Sequence, residues 1–170
     1  MSTVAEKTLK RVSFIVNLKK CDVGCDGKMM VEDFVFPEDF LYTTKHVWVK
    51  VENGVAKVGI TSLGQSLAKG IVHVDLPVVG QTVKRNETVA SFETIKAVVK
   101  VQTPFSGKIV EVNRILLEKP EIINKDPYGD GWLFKINLKN KAEIKKLLTA
   151  KKASKYYEKM LKREKEKYAG

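Results

Sequence analysis

Lys96 lies in a short break between two alternating apolar runs, within the stretch VASFETIKAVVKVQTPFSGKI. Its neighbours Ile95, Val98 and Val99 are stiff β-branched residues, and they predict a β-hairpin whose tip holds the lysine amine in solvent. An exposed amine on a rigid scaffold is the requirement for a covalent swinging arm, because a modifying enzyme must surround the amine and several active sites must accept the arm. A turn lysine that is merely solvated remains the alternative on spacing alone.

Cys21 and Cys25, in CDVGCDGK, are the second candidate for chemistry. They form a possible redox pair because Lys19, Lys20 and Lys28 can lower a thiol pKa. The simpler interpretation is two reduced thiols in an N-terminal extension. Two thiolates without further Cys or nearby His do not complete a tetrahedral zinc site, so we predict no metal site within this chain alone.

The two histidines, His46 and His73, each fall within a predicted β run. No Ser-His-Asp or Cys-His pattern accompanies them, so packed or surface positions are the simpler interpretation. We therefore predict a protein without a catalytic centre of its own.

The formal net charge of +11 is concentrated near the C-terminus. Residues 139–170 hold twelve Lys or Arg against four Asp or Glu, a net charge of +8. The rest of the chain is only mildly basic, so the basicity belongs to a tail and not to a general nucleic-acid-binding surface. No secretory signal and no membrane-spanning window are present, and we expect a soluble cytoplasmic protein that does not act at a membrane.

Short runs of period two, punctuated by glycine and proline, predict a mainly β fold. Val47, Val49 and Val51 precede Asn53-Gly54, a pair that favours a tight hairpin because both residues accept positive φ. The segment TSLGQSLAKG predicts a short internal helix. Many short strands with few helices indicate a sandwich or flattened barrel.

Three regions follow from the pattern. Residues 1–33 form an N-terminal extension that carries the Cys pair, residues 34–140 form the β domain, and residues 141–170 form a basic amphipathic helix or tail. We expect the part around Leu147 and Leu148 to dock on the domain and the final KREKEKYAG to fray.

An internal echo connects two parts of the β domain. The segments PVVGQTVKRN and PFSGKIVEVN share Pro, Gly, Val and Asn at the same offsets, beginning at Pro77 and Pro104. In each copy the valine, Val83 or Val110, is expected to begin the buried face of a strand. The echo predicts two similar β units packed together, with Lys96 between them.

Three separated motifs resemble the glycine cleavage system H-protein family of lipoyl carriers. They are FETIKAVVKVQTPFSGKIVEVN, NKDPYGDGWLFKI and YTTKHVWVKVENGVAKVGIT, and the resemblance covers about residues 35–150. The family's Glu-Ser-Val-Lys-Ala pattern is matched by Glu93-Thr94-Ile95-Lys96-Ala97. Biotinyl domains, which flank their lysine with methionine, and 2-oxoacid dehydrogenase lipoyl domains, which lack DPYGDGW, fit less well.

The resemblance implies a lipoyl/biotinyl-type hybrid barrel-sandwich with lipoate in amide linkage to Lys96. It implies that the chain carries an aminomethyl group from glycine decarboxylase to an aminomethyltransferase and is reoxidised by dihydrolipoamide dehydrogenase. A lipoyl ligase or transferase is implied as the modifying partner. Because such an enzyme must read the hairpin and its neighbours, we expect Glu93, Ile95 and Ala97 to contribute to its recognition.

The chain departs from the family at three positions that bear on cargo. Where the family usually has His-Glu-Trp, this chain has Val47 after the histidine; Lys45 and Lys100 stand where small hydroxyl or acidic residues are common. Since like charges repel, these residues are expected to weaken retention of a cationic aminomethyl group in a cleft of the carrier.

Two alternatives to glycine cleavage follow. The same lysines suit an anionic cargo, so an H-like lipoate-binding protein that carries sulfur intermediates for a heterodisulfide-reductase-like complex is the first. The second is a binder of nucleic acid or an anionic surface through the basic tail. Glutamates interleave with the lysines of the tail as in a solvated helix, which makes a nucleic-acid partner the weaker interpretation.

Overall fold

The computed structural model describes residues 28–68 and 70–169 as strands, short helices and one long C-terminal helix. The strands are β1 Lys28–Val31, β2 Phe34–Pro37, β3 Leu41–Tyr42, β4 Val47–Glu52, β5 Val55–Ile60, β6 Ile71–Asp75, β7 Thr82–Val83, β8 Thr88–Thr94, β9 Val98–Gln102, β10 Gly107–Val112, β11 Phe134–Leu138 and β12 Leu148–Thr149. The helices are α1 Ser62–Leu67, α2 Ile115–Glu118, α3 Ile122–Lys125, a 3-10 helix Lys141–Lys146 and α4 Ala150–Tyr168. None of the described helices is long and apolar enough to cross a membrane.

Two sheets enclose the main hydrophobic core. One has seven strands in the order β12-β3-β4-β5-β11-β10-β7, and the other has three in the order β6-β8-β9. Both contribute to a single cluster of buried side chains, including Val49 and Ile109 from the larger sheet and Phe92 and Val101 from the smaller one. The alternating pattern of the sequence therefore places every second side chain of these strands in one shared core.

The β4–β5 hairpin forms as the sequence predicts. Asn53 and Gly54 at its tip have φ of 52° and 76°, and Val47 pairs with Ile60 at the far end of the ladder. Asn-Gly accepts this left-handed geometry at little cost, so the turn fixes the register of both strands. That register places the first residues of β4 beside the end of β5 and the start of α1.

The two echo segments pair with each other. Their strands β7 and β10 are antiparallel neighbours, with Gly107 opposite Val83. Val83 is buried as expected, whereas Val110 is exposed. The difference arises because Gly107, which lies opposite Val83, and Ile109 occupy the buried face of β10, so the alternation of the strand places Val110 on the other face.

A second hydrophobic cluster lies between the larger sheet, the β1–β2 hairpin and α4. It contains Phe36, Tyr42, Trp48, Ala153 and Tyr157, all fully buried. Within the amphipathic tail predicted over residues 141–170, α4 is a helix whose apolar face packs on the domain, whereas the residues before it form the 3-10 helix and β12. The hairpin also joins residues of the predicted extension to residues of the predicted β domain, because β1 pairs with β2.

The end of α4 does not fray as we expected from KREKEKYAG, since the helix continues to Tyr168. Two ion pairs are formed in this part of the helix. Lys162 contacts Glu158 one helical turn earlier, at 3.4 Å, and Lys165 contacts Glu32 in the turn of the β1–β2 hairpin. The second contact ties the distal helix to another element of the fold.

Candidate functional site

Lys96 lies exposed at the tip of the β8–β9 hairpin, within a four-residue turn. The Thr94 N–H donates to the Ala97 carbonyl at 2.8 Å, which closes the turn. The Thr94 hydroxyl oxygen accepts from the N–H groups of Ala97 at 3.0 Å and Lys96 at 3.3 Å, and the hydroxyl donates to the Ala97 carbonyl. The backbone of Lys96 is therefore held in place while its amine is free to react.

Thr94 is a site residue that the sequence analysis missed. It appeared there only as a conservative match to a family pattern, but in the structure its side chain organises the turn. Threonine hydroxyls commonly bond backbone groups one to three residues along the chain in such turns, and this local preference was the available signal.

The predicted neighbours of Lys96 form an apolar collar around it. Ile95 is 83% exposed and Val98 59% exposed, and Ala97 is exposed as well. Ile95 lies over Gly70, where its Cδ1 is 3.4 Å from the position that a Cβ of residue 70 would take. Exposed apolar side chains around a single amine are typical of a surface that another protein contacts.

Glu93 lies one residue before this turn, where it pairs with Val98 on one side and His73 on the other. Its carboxylate is exposed, and among the described residues no cation forms an ion pair with it. The carboxylate is thus available to a partner that approaches the hairpin tip.

We expect Glu93→Ala to slow enzymatic modification of Lys96 without unfolding the domain. The change removes a charge-assisted contact that is worth about 1.5–3 kcal/mol when formed. Rates of lipoyl transfer by a purified ligase would measure the effect, and Glu121→Ala, which removes another exposed carboxylate outside the hairpin, is the matched control. Equal rates for both variants and the parent protein would remove Glu93 from the recognition surface.

A cleft of about 120 Å³ lies between β8, β9, α1 and the loop that leads into β4. The structure brings the three predicted cargo residues Lys45, Val47 and Lys100 together in it. We call it the arm cleft because it lies beside the hairpin that carries Lys96. Among the described residues, no Asp or Glu lines it. Its lining residues are Lys45, His46, Val47, Ile60, Gly64, Leu67, Ala68, Phe92, Val99, Lys100 and Val101.

The arm cleft is apolar inside and cationic at its edge. Val47 is 2% exposed, and Leu67, which the sequence analysis did not select, contributes a side chain that is 60% exposed. Lys45 and Lys100 are exposed, and the Lys45 amine donates to the Gln102 side-chain oxygen. The cleft therefore offers an uncharged group apolar contacts and meets a cation with two positive charges.

The loop 43–46, which leads into β4 and forms one wall of the arm cleft, is held in place by a side chain of α4. The Tyr157 hydroxyl donates to the Thr43 carbonyl at 2.6 Å and accepts from the His46 N–H at 2.8 Å. Thr43 N–H in turn donates to the Val47 carbonyl at 2.9 Å. A residue of the basic tail thus positions the residues of the cleft.

His46 belongs to this loop and not to a β run, which corrects the sequence-based expectation. Its φ is 63°, and its ring stacks on Tyr157 with 5.0 Å between centroids. Burial lowers the pKa of His46, which favours the neutral imidazole. The other histidine, His73, lies in β6 as expected, where its ring nitrogen is 3.1 Å from Asp75.

The DPYGDGW segment supports the fold on the side of Trp48. The Trp48 indole N–H donates to the Pro127 carbonyl at 2.8 Å, and Tyr128 donates its hydroxyl to Val35 in β2. The Asn113 amide donates to the carbonyls of Asp130 and Trp132 at 2.7 and 2.8 Å. The segment therefore anchors β4, the strand that follows the loop in the wall of the arm cleft.

Cys21 and Cys25 lie outside the described residues, so the redox-pair hypothesis remains a prediction. Among residues 28–68 and 70–169, no group of three or more His, Cys, Asp or Glu side chains is placed to hold a metal ion.

Comparison with known proteins connects this site to a family. The glycine cleavage H-protein family model matches residues 40–160. The chain belongs to the glycine cleavage H-protein family. A probable glycine cleavage system H protein from Aeropyrum pernix is 48% identical over 116 residues, which are 68% of this chain and 81% of the relative. The glycine cleavage system H protein from Thermotoga maritima is 52% identical over 107 residues, 63% of this chain and 86% of the relative.

A solved structure supports the fold assignment. The crystal structure of a glycine cleavage system H protein from Mycobacterium marinum superposes with a TM-score of 0.63 at 36% identity, covering 71% of this chain and 95% of that one. The predicted family, the mainly β fold with its short internal helix and C-terminal helix, and the class of non-catalytic carrier are confirmed. The β1–β2 hairpin and the last residues of α4 lie outside the matched range 40–160.

Proposed function

We propose that this H-family chain carries lipoate in amide linkage to the Nζ of Lys96 and shuttles the aminomethyl group of glycine cleavage. The observation that carries the proposal is the exposed amine of Lys96 on a turn that Thr94 closes through backbone and side-chain hydrogen bonds. A lipoyl group would supply a dithiolane that accepts and releases the cargo. The chain itself supplies a fixed attachment point and an adjoining cleft.

The names of the relatives support the partners that the sequence resemblance implied. A carrier of this family would meet glycine decarboxylase, the aminomethyltransferase and dihydrolipoamide dehydrogenase in turn. The collar of Ile95, Ala97 and Val98 and the free carboxylate of Glu93 provide a surface for these enzymes and for the lipoyl ligase. Each partner must approach the same hairpin tip, which explains why that tip is unobstructed.

The arm cleft fits the uncharged ends of such an arm. Val47, Phe92 and Val101 provide an apolar floor, and a dithiolane or dithiol is a soft, weakly polar group that gains from such burial. Lys45 and Lys100 at the edge of the cleft repel a cationic aminomethyl group on the arm. The protein therefore protects its cargo less than a carrier with acids at these positions.

The direct test is a loading experiment with the lipoylated protein. Incubation with glycine and a purified glycine decarboxylase is expected to add the aminomethyl group, and mass spectrometry of the Lys96 peptide would show it. If the lipoylated protein does not load while an H protein from another organism does, the glycine cleavage proposal fails. The sulfur-carrier alternative, which the cationic cleft edge favours, would then take its place.

Exchanging the cleft charges is expected to prolong the lifetime of the loaded state. Lys100→Asp replaces a repulsive charge with an attractive one, and Val47→Glu adds a second carboxylate that must extend into the cleft because residue 47 is 2% exposed. An attraction at the exposed position 100 contributes about 0.2–1 kcal/mol. The rate at which the aminomethyl group is lost would measure the change, for Lys100→Asp alone and for the double variant.

Lys108→Asp, which makes the same charge change at an exposed position outside the cleft, is the control. Thermal unfolding of each variant separates loss of the fold from loss of cargo protection. If the parent protein already holds its cargo as long as both cleft variants, the charges of Lys45 and Lys100 do not govern retention.

The structure gives α4 an architectural role, which weakens the anionic-surface hypothesis. Its buried face is part of the second hydrophobic cluster, and Glu158 neutralises Lys162 on the exposed face. A salt-sensitive change in the gel mobility of nucleic acid on addition of the native protein would support that hypothesis.

A further inference from the structure

A second cleft, of about 130 Å³, lies on the other side of the Lys45 loop. Three separate parts of the chain form it: the loop that follows β3, the turn between β7 and β8, and the junction of the 3-10 helix with β12. The last residue of β9 and the two residues after it, 102–104, complete the lining. The function proposed above does not use this cleft, although the two clefts share Lys45.

Each of the three parts contributes one cation to the second cleft. They are Lys45 from the loop, Arg85 from the turn and Lys146 from the end of the 3-10 helix. Among the described residues, no Asp or Glu lines the cleft and no carboxylate forms an ion pair with these three side chains. Like charges gathered in one cleft repel each other, and an anion between them would remove that repulsion.

Arg85, which lines the cleft, carries one donor without a partner among the described residues. Its Nε is buried and makes no hydrogen bond to any described residue. Leaving a buried donor of this kind unpaired costs about 1–3 kcal/mol or more.

The carboxylate of Glu143 forms no ion pair with Arg85. Its two oxygens accept from the N–H of Ser106 at 2.7 Å and from the hydroxyl of Ser106 at 3.0 Å. The Ser106 hydroxyl also accepts from the Arg85 N–H at 3.0 Å. Ser106 therefore fixes the backbone of the turn, while the guanidinium of Arg85 is left to the cleft.

The turn that carries Arg85 is rigid, and the rest of the lining is polar. Asn86 has a φ of 67°, and its N–H donates to the Thr103 carbonyl at 2.8 Å. The side chains of Thr43, Thr44 and Asn86 add hydroxyl and amide donors to the wall. Three cations with neutral donors beside them match the several acceptor oxygens of a phosphate.

We propose that the second cleft binds a phosphate group, either as the free ion or on a phosphorylated small molecule, with Arg85 and Lys146 as its principal contacts. The planar guanidinium donates two parallel hydrogen bonds to phosphate oxygens, and Lys146 contributes a point charge. Lys45 lines both clefts, so the bound phosphate also lowers the positive charge at the edge of the arm cleft.

Titration of the unmodified, full-length protein with sodium phosphate tests the site apart from its role as a carrier. Amide signals of Arg85, Asn86 and Lys146 in two-dimensional NMR spectra are expected to shift and saturate, with sodium chloride holding the ionic strength constant. Glycerol phosphate, titrated in the same way, distinguishes a site for phosphate esters from a site for the free ion alone. Saturation by either ligand supports the proposal.

Arg85→Gln is expected to weaken phosphate binding at least tenfold, because it removes a charged donor pair. Arg114→Gln makes the same change at an exposed position that lines neither cleft, and it is expected to leave the affinity within twofold. Lys146→Gln, at an exposed position, gives a second test if Arg85→Gln lowers stability. Shifts that stay linear with phosphate and spread over the lysines of α4, or equal weakening by all three variants, would overturn the proposal.

Discussion

Lys96→Arg is expected to abolish lipoylation of this protein completely. The arginine keeps the positive charge and a long flexible stem, but its guanidinium does not lose a proton at accessible pH and cannot act as the attacking amine. The turn should survive the change, because the hydrogen bonds that close it come from the backbone and the Thr94 side chain. Intact-mass spectrometry after co-expression with a lipoyl ligase measures the result.

Lys100→Arg is the matched control for this experiment, since Lys100 is another exposed lysine on the same hairpin. It lies in β9, where pairing with β8 keeps a modifying enzyme from wrapping its amine, and we expect the variant to be lipoylated normally. Peptide mapping would locate the lipoyl group in each protein. A lipoyl mass that persists in Lys96→Arg would show that another lysine is the attachment site.

The local features of the site could be predicted from the sequence because they depend on neighbouring residues. The Asn53-Gly54 turn and the alternation of β4 and β5 follow from backbone preference and period alone. The exposure of Lys96 follows from its place between two strands. Even the grouping of Lys45 with Lys100 was predicted, although through resemblance to a family and not through spacing.

The parts that could not be predicted depend on contacts between distant residues. Tyr157 and His46 are 111 residues apart in the chain. No periodicity in the sequence predicts that the Tyr157 side chain fixes the loop that contains His46. His46 looked like a strand residue because the apolar run beside it is strand-like, yet its φ of 63° places it in the preceding loop. The cleft around Arg85 combines three elements in the same way.

The basic tail shows how composition can mislead. Its lysines indicate a solvated or anion-binding segment, and its sparse apolar residues are easy to discount. In the structure those few residues, Ala150, Ala153 and Tyr157, face a fully buried cluster, while the lysines cover the outside of the helix. A narrow apolar stripe is enough to dock a helix when a large aromatic residue lies at its centre.

Tyr157→Ala is expected to lower the free energy of unfolding by about 3–5 kcal/mol, the usual cost of truncating a buried large aromatic side chain. The ring is fully buried and stacks on Phe36 with 5.5 Å between centroids. Its removal also leaves the His46 N–H and the Thr43 carbonyl without their partner. For a chain of this size the melting temperature should fall by roughly 6–20 °C.

Two further variants separate the causes of this loss. Tyr157→Phe keeps the ring and removes only the hydroxyl, so it should cost about 1–3 kcal/mol through the two unpaired backbone groups. Tyr168→Ala removes the same side chain from the exposed end of the same helix, where 78% of the residue is accessible, and should change stability by no more than about 0.5 kcal/mol. Urea unfolding of the four proteins would measure all three differences. If Tyr157→Ala and Tyr168→Ala unfold at the same urea concentration, α4 does not stabilise the domain, and the wall of the arm cleft must be held by other contacts.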